Sequence, residues 1–222
     1  MRNLIFHILF ATIFLVHLAS IYWYWDDIRF FTKPLICLCL IALLYVNTGL
    51  KSKFHILIAI GLVFGLLGDI FLMLHELFIP GLVSFLIGHI LYIWAFLLQF
   101  NKENSSKNKY IIVILTFLAI YSFNFYKILS PSLGSLKIPV IAYILVIATM
   151  ALFAYTRKNK TTFWSFLYIF LGALFFIASD SLLAINKFVA YVPNSALMIM
   201  STYMLAQYLI TVGSIKHQTR IS

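Results

Sequence analysis

Residues 54–74 read FHILIAIGLVFGLLGDIFLML, a run of 21 positions with a single acid, Asp69, and no lysine or arginine. About 20 apolar residues are needed to cross a hydrocarbon core of about 30 Å, so this stretch is built for lipid rather than water. Working outward, seven more runs of the same kind emerge: Leu4 to Trp25, Phe30 to Leu50, Ile79 to Phe100, Tyr110 to Leu129, Leu136 to Tyr155, Thr162 to Ile185 and Asn194 to Ile215. The expectation is an all-α integral membrane protein, a bundle of eight transmembrane helices. The second run has the shortest strictly apolar core, because Lys33 and Pro34 stand near its start. A lysine near a helix end can snorkel, and Pro34 suits a first helical turn.

Composition agrees. Hydrophobic residues make up 64% of the 222 and charged ones 10%, far from the soluble balance of roughly half apolar and a quarter charged. The 22 Phe and 13 Tyr suit lipid-facing walls and interfacial aromatic belts. A formal charge of +10 would point to nucleic acid in a soluble chain. Here the basic residues sort by loop. Arg2, Lys51, Lys53, Lys102, Lys107, Lys109, Arg157, Lys158, Lys160, Lys216 and Arg220 fall on one side, and Arg29, Lys33, Lys127, Lys137 and Lys187 on the other. By the positive-inside rule both termini are cytoplasmic, with a bacterial inner membrane as the expected location and no nucleic-acid partner. Cys37 and Cys39 lie two apart in one run and point away from each other on a helix, so they form neither a disulfide nor a metal pair. The N-terminal run lacks a clear small-residue cleavage site before Tyr22 to Trp25 and reads as a retained span.

The chain reads as one transmembrane domain, 1–222. Asn101 to Lys109 is its longest polar stretch and divides it into sets of four spans, 1–100 and 110–222. At an offset of 111, Gly61, Phe64, Asp69 and Leu72 fall on Gly172, Phe175, Asp180 and Leu183. Four spans per half would make the halves parallel repeats.

Six acids occur in all; Asp26, Asp27, Glu76 and Glu103 lie in or beside loops, which leaves Asp69 and Asp180 deep in apolar runs. A carboxylate at a helix centre costs roughly 2.5–3.5 kcal/mol on insertion scales unless paired or protonated, so each marks a candidate site. Both lie toward the C-terminal ends of spans running in the same direction, so they are expected at similar depth and able to meet. Gly61, Gly65 and Gly68 beside Asp69 are the small residues of a close helix contact, which aims Asp69 into the bundle. Taken alone, the pair also fits structural acids or the ion ligands of a transporter. His89 follows Gly88 on a span with Gly81 and Ser84, but a lone buried histidine is more often structural. His7 and His17 show no metal-ligand spacing. Tyr143, Tyr203 and Gln207 could line a polar cavity or bond between helices. Lys33 and Lys137 begin even-numbered spans, with Pro34 and Pro139 close behind, and read as a phosphate site or as interfacial anchors. No Walker loop, HExxH, GxSxG or dinucleotide fingerprint is present.

Nearly the whole chain resembles the YhhN-type lysoplasmalogenase family of multi-spanning membrane enzymes. The likeness rests on Lys33-Pro34-Leu35, Gly68-Asp69 with Leu72-Met73, Phe85 with Gly88, His89 and Tyr92, and Pro139 with Tyr143 and Met150. Gly172-Ala173, Phe175, Ser179-Asp180 and Leu183-Ala184 carry its strongest part, and Tyr203 and Gln207 complete it. The resemblance implies hydrolysis of the vinyl ether bond of lysoplasmalogens to a fatty aldehyde and glycerophosphoethanolamine or glycerophosphocholine, with no metal or other cofactor. The partners implied are a lysolipid substrate and membrane lipids. Protonation at carbon would give an oxocarbenium ion that water captures, so an acid and a base are needed, and Asp69 and Asp180 supply them in unassigned order. Lys33, His89, Tyr143, Tyr203, Gln207 and Lys137 are the further pocket candidates. The rival readings are a proton- or cation-coupled transporter using the same aspartates and a metal-dependent lipid hydrolase, the latter opposed by the lack of clustered histidines.

Overall fold

A computed structural model of the chain describes residues 2–74, 76–99 and 109–217; the side chains of Arg2, Lys109 and Asn159 lie outside the description. Lys102, Lys107, Arg220, Glu103 and most of the Asn101 to Lys109 loop fall outside it too. The described residues form eight long helices: α1 Arg2–Tyr22, α2 Asp26–Thr48, α3 Lys53–Met73, α4 Phe78–Leu97, α5 Lys109–Leu129, α6 Lys137–Thr156, α7 Phe163–Phe188 and α8 Ser195–Ile215. All eight are long and apolar enough to cross a membrane. The chain is an integral, multi-pass membrane protein.

The starts and stops have local causes. Ser52 and Thr162 accept the backbone N–H groups of His55 and Ser165, capping α3 and α7. Gly49, at φ +60°, closes α2 in the left-handed conformation, its N–H on the Tyr45 carbonyl. One boundary corrects the sequence reading. Helix α2 begins at Asp26, so Pro34 lies inside it and Lys33 is two turns in rather than at its start. Asp26 and Asp27, expected in or beside a loop, occupy the first turn next to it, where negative charge complements the helix dipole. By contrast Pro139 does lie in the first turn of α6, where no intrahelical N–H is needed.

Two tight hairpins organise the bundle, α3 with α4 and α7 with α8. Small residues explain their closeness. A Cβ on Gly88 would stand 3.2 Å from the Gly61 carbonyl, and one on Gly172 would stand 2.9 Å from the Ala206 carbonyl. Across the two halves, α4 packs on α6 and α2 packs on α8. The main core runs through all of these contacts; a smaller one, around Phe125, Leu129, Val140 and Ile144, joins α5 and α6. Aromatic Tyr22 to Trp25 are exposed between α1 and α2, as an interfacial belt requires.

At the opposite end Arg157 is wholly buried. Its Nε donates to Gln99 Oε1 at 3.2 Å and an Nη to Ser165 Oγ at 3.2 Å, with the guanidinium over the rings of Phe54 and Phe96. The sequence reading counted this residue only as loop charge. The fold uses it to tie α3, α4, α6 and α7 together.

Candidate functional site

The glycine stripe of α3 brings it close enough to its neighbours for Asp69 to meet three side chains from two other helices, α2 and α8, without reaching lipid. Asp69 is 1% exposed. The Tyr203 hydroxyl of α8 donates to its Oδ2 at 2.7 Å, and the Lys33 ammonium of α2 lies 3.8 Å from its Oδ1. Cys37, one turn beyond Lys33 on the same face of α2, donates its thiol to Oδ2 at 3.7 Å and lies 3.4 Å from the Tyr203 hydroxyl. Behind this first layer, Gln207 Nε2 donates to the Tyr203 oxygen at 3.3 Å and Tyr92 donates to Gln207 Oε1 at 2.7 Å. Asp69, Lys33, Tyr203 and Gln207 are thus brought together, with Tyr92 and Cys37 added. Cys37 was weighed in the sequence only against Cys39; its i, i+4 spacing from Lys33 is the signal that could have found it.

Asp180 sits differently. The Tyr143 hydroxyl of α6 donates to its Oδ2 at 2.7 Å, the one hydrogen bond it makes among the described residues. Among the described residues no cation forms an ion pair with it. It forms part of the wall of an apolar cavity between α4, α5, α6 and α7, lined by Leu82, Leu86, Phe125, Leu129, Val140, Ile144 and Ile177 among others. Tyr121 and Ser181, hydrogen-bonded to each other, add the cavity's other hydroxyls.

Among the described residues no hydrogen bond joins the two acids directly; each has its own hydroxyl partner, Tyr203 for Asp69 and Tyr143 for Asp180. Aromatic rings join the clusters instead. Tyr143 contacts His89, His89 contacts Phe176, and Phe176 contacts Tyr203, with centroids 5.7, 4.9 and 5.9 Å apart. His89 is 2% exposed. Lys33 is committed to Asp69 because α2 starts earlier than expected, whereas Lys137 is exposed at the head of α6 between the cavity-lining Leu136 and Pro139.

Chemically, one carboxyl lies beside an ammonium in a polar network and the other faces an apolar space, with the Tyr143 hydroxyl as its one described hydrogen-bond partner. The fold and these two carboxyls define a class: polytopic helical membrane proteins with a carboxyl on the wall of a hydrocarbon-lined cavity. Within that class the chain belongs to the YhhN family, which it matches over residues 28–214. It is 33% identical over 165 residues to lysoplasmalogenase TMEM86A of Homo sapiens, covering 72% of this chain and 65% of that one. To lysoplasmalogenase TMEM86B of Homo sapiens it is 29% identical over 194 residues, 86% of this chain and 78% of the relative. A lysoplasmalogenase of Mycobacterium bovis is 30% identical over 138 residues, 61% of this chain and 50% of the relative. The chain therefore spans just under two thirds of the length of TMEM86A. No solved structure matches it.

Proposed function

We propose that this protein hydrolyses the vinyl ether bond of lysoplasmalogens, releasing a fatty aldehyde and a glycerophospho-alcohol. The observation that carries the reading is the placement of Asp180 and its Tyr143 partner on the wall of an apolar cavity. An alkenyl chain lying in that cavity would bring its vinyl ether to the one carboxyl within reach. The names of the relatives support the same substrate.

The roles divide along the electrostatics. Asp180, without a cation beside it, acts as the acid and delivers its proton to the outer vinyl carbon. The positive charge that results is shared between the inner carbon and the ether oxygen. Asp69, held as the anion by Lys33 and Tyr203, lends a negative field in a medium of low dielectric, where it acts over a longer range than in water. Water then adds to the inner carbon, and the hemiacetal collapses to aldehyde and alcohol. Lys137, near the cavity at the head of α6, is placed to meet the substrate's phosphate. The loop charges put both termini in the cytoplasm of a bacterial inner membrane, with both carboxyls toward the far leaflet.

The test is direct. Purified protein in detergent is offered a vinyl-ether lysolipid and its ester counterpart, and free aldehyde is measured. Aldehyde from the vinyl ether alone is the expected result. No turnover in detergent, together with gradient-dependent uptake in sealed vesicles, would replace the hydrolase by a transporter built on the same aspartates.

A further inference from the structure

His89 lies one helical turn beyond Leu86, a residue of the cavity wall on α4. Its ring stands edge-on to Tyr143 at 82° and to Phe176 at 80°, and Tyr143 is the residue that donates to Asp180. Yet among the described residues neither ring nitrogen has a hydrogen-bond partner, and no other side chain there has two buried polar atoms in that condition. His17, the nearest comparison, still bonds Thr32 through Nδ1 at 2.8 Å. A neutral imidazole has one N–H to give and one lone pair to fill, and buried groups of this kind are almost always paired. A histidine that served packing alone would be better replaced by a phenylalanine. Its retention beside the Tyr143–Asp180 pair points to a polar partner that arrives with the reaction.

We infer that His89 holds the hydrolytic water and is the base for its addition, a role that rests on the hydrolase reading above. The balance is complete. Asp180 gives its proton to the outer vinyl carbon, and the C=C electron pair makes that C–H bond. The water oxygen bonds to the inner carbon while His89 takes one water proton. On collapse the C–O bond to glycerol breaks, and the departing oxygen receives the proton from His89. The hemiacetal hydroxyl proton returns to the Asp180 carboxylate as the C=O forms. Both groups end as they began, and one water is consumed.

The test uses full-length protein in detergent and His89→Phe, a substitution matched in shape to a site walled by Tyr143 and Phe176. Its melting temperature should equal or exceed that of the wild type, because an unpaired polar ring is replaced by an apolar one. Its kcat should fall by about 10²-fold or more, the loss expected for general base catalysis, while KM on the vinyl-ether lysolipid stays within about twofold. A saturated-ether lysolipid, which cannot be protonated to the cation, should bind both proteins equally. His89→Gln, which keeps a donor and an acceptor, should retain part of kcat and serves as the readout should the Phe variant fail to fold. A folded His89→Phe enzyme with wild-type kcat, or a His89→Gln enzyme unchanged in kcat, overturns the role of His89 while leaving the hydrolase intact. Absence of aldehyde from the wild type removes both.

Discussion

Lys33 and Asp69 stand 3.8 Å apart, with their side chains only 12% and 2% exposed. Removing one partner of a buried ion pair strands the other, at about 3–5 kcal/mol, whereas replacing both is often nearly neutral. Lys33→Met should therefore lower the unfolding temperature in detergent sharply, and adding Asp69→Asn should restore most of it. If the single and double variants melt alike, the pair is not the stabilising unit described. Asp180 has no such debt, having Tyr143 as its one partner among the described residues. Asp180→Asn should leave melting nearly unchanged while cutting aldehyde release by about 10² or more. Near-normal release from that purified variant would remove Asp180 from the chemistry.

Helices α3 and α7 show how glycine sets the site from a distance. A methyl group on Gly65 would stand 2.6 Å from Gln207 Nε2, the movable end of a side chain that holds Tyr203 on Asp69. One on Gly172 would instead meet the Ala206 carbonyl at 2.9 Å, which is backbone and cannot swing aside. Gly65→Ala should thus reduce turnover with a small stability loss. Gly172→Ala should force α7 from α8 and lose about 1–3 kcal/mol, as overpacking does. Comparing the two melting temperatures with the two rates checks the contrast; a Gly172→Ala protein as stable as wild type would show that the hairpin has room to spare.

Across the whole molecule, the end that gathers Arg157 and His217 ties the bundle through groups that tolerate little charge. Burial, with Arg157 and His55 nearby, holds His217 down to about 4 from 6.5. The unfolded chain takes up that proton at a higher pH than the folded one. Stability present above about 6.5 is therefore lost as pH falls toward 4. Melting in detergent should drop between neutral and mildly acidic pH, and His217→Gln should flatten the slope. By the loop-charge count along the sequence, reporters fused in the 157–160 loop should read cytoplasmic; an external reading would reverse the leaflet assigned to the carboxyls. We also propose that the halves are repeats. The α3–α4 hairpin corresponds to α7–α8, and the α4–α6 contact corresponds to α8–α2. Tyr92 and Tyr203, and Ser84 and Ser195, share the offset of 111 that relates the two aspartates.

Eight membrane spans, the two acids within them and the family were legible in the sequence because each is a local signal. Apolar length, a charge in a run that cannot solvate it, and short motifs in order need no neighbour to be read. The start of α2 was misread for the same reason, since Lys33 and Pro34 look like a helix beginning when the partner that admits a lysine to the interior is out of view. Only the tertiary structure decided that Lys33 neutralises Asp69, that Cys37 and Tyr92 join that network, that Asp180 alone faces the apolar cavity, and that His89 lies between the clusters with both nitrogens free of described partners. Those facts depend on which helix faces lie against each other. In a chain this uniformly apolar the pattern along one helix says little about which of its faces meets protein and which meets lipid.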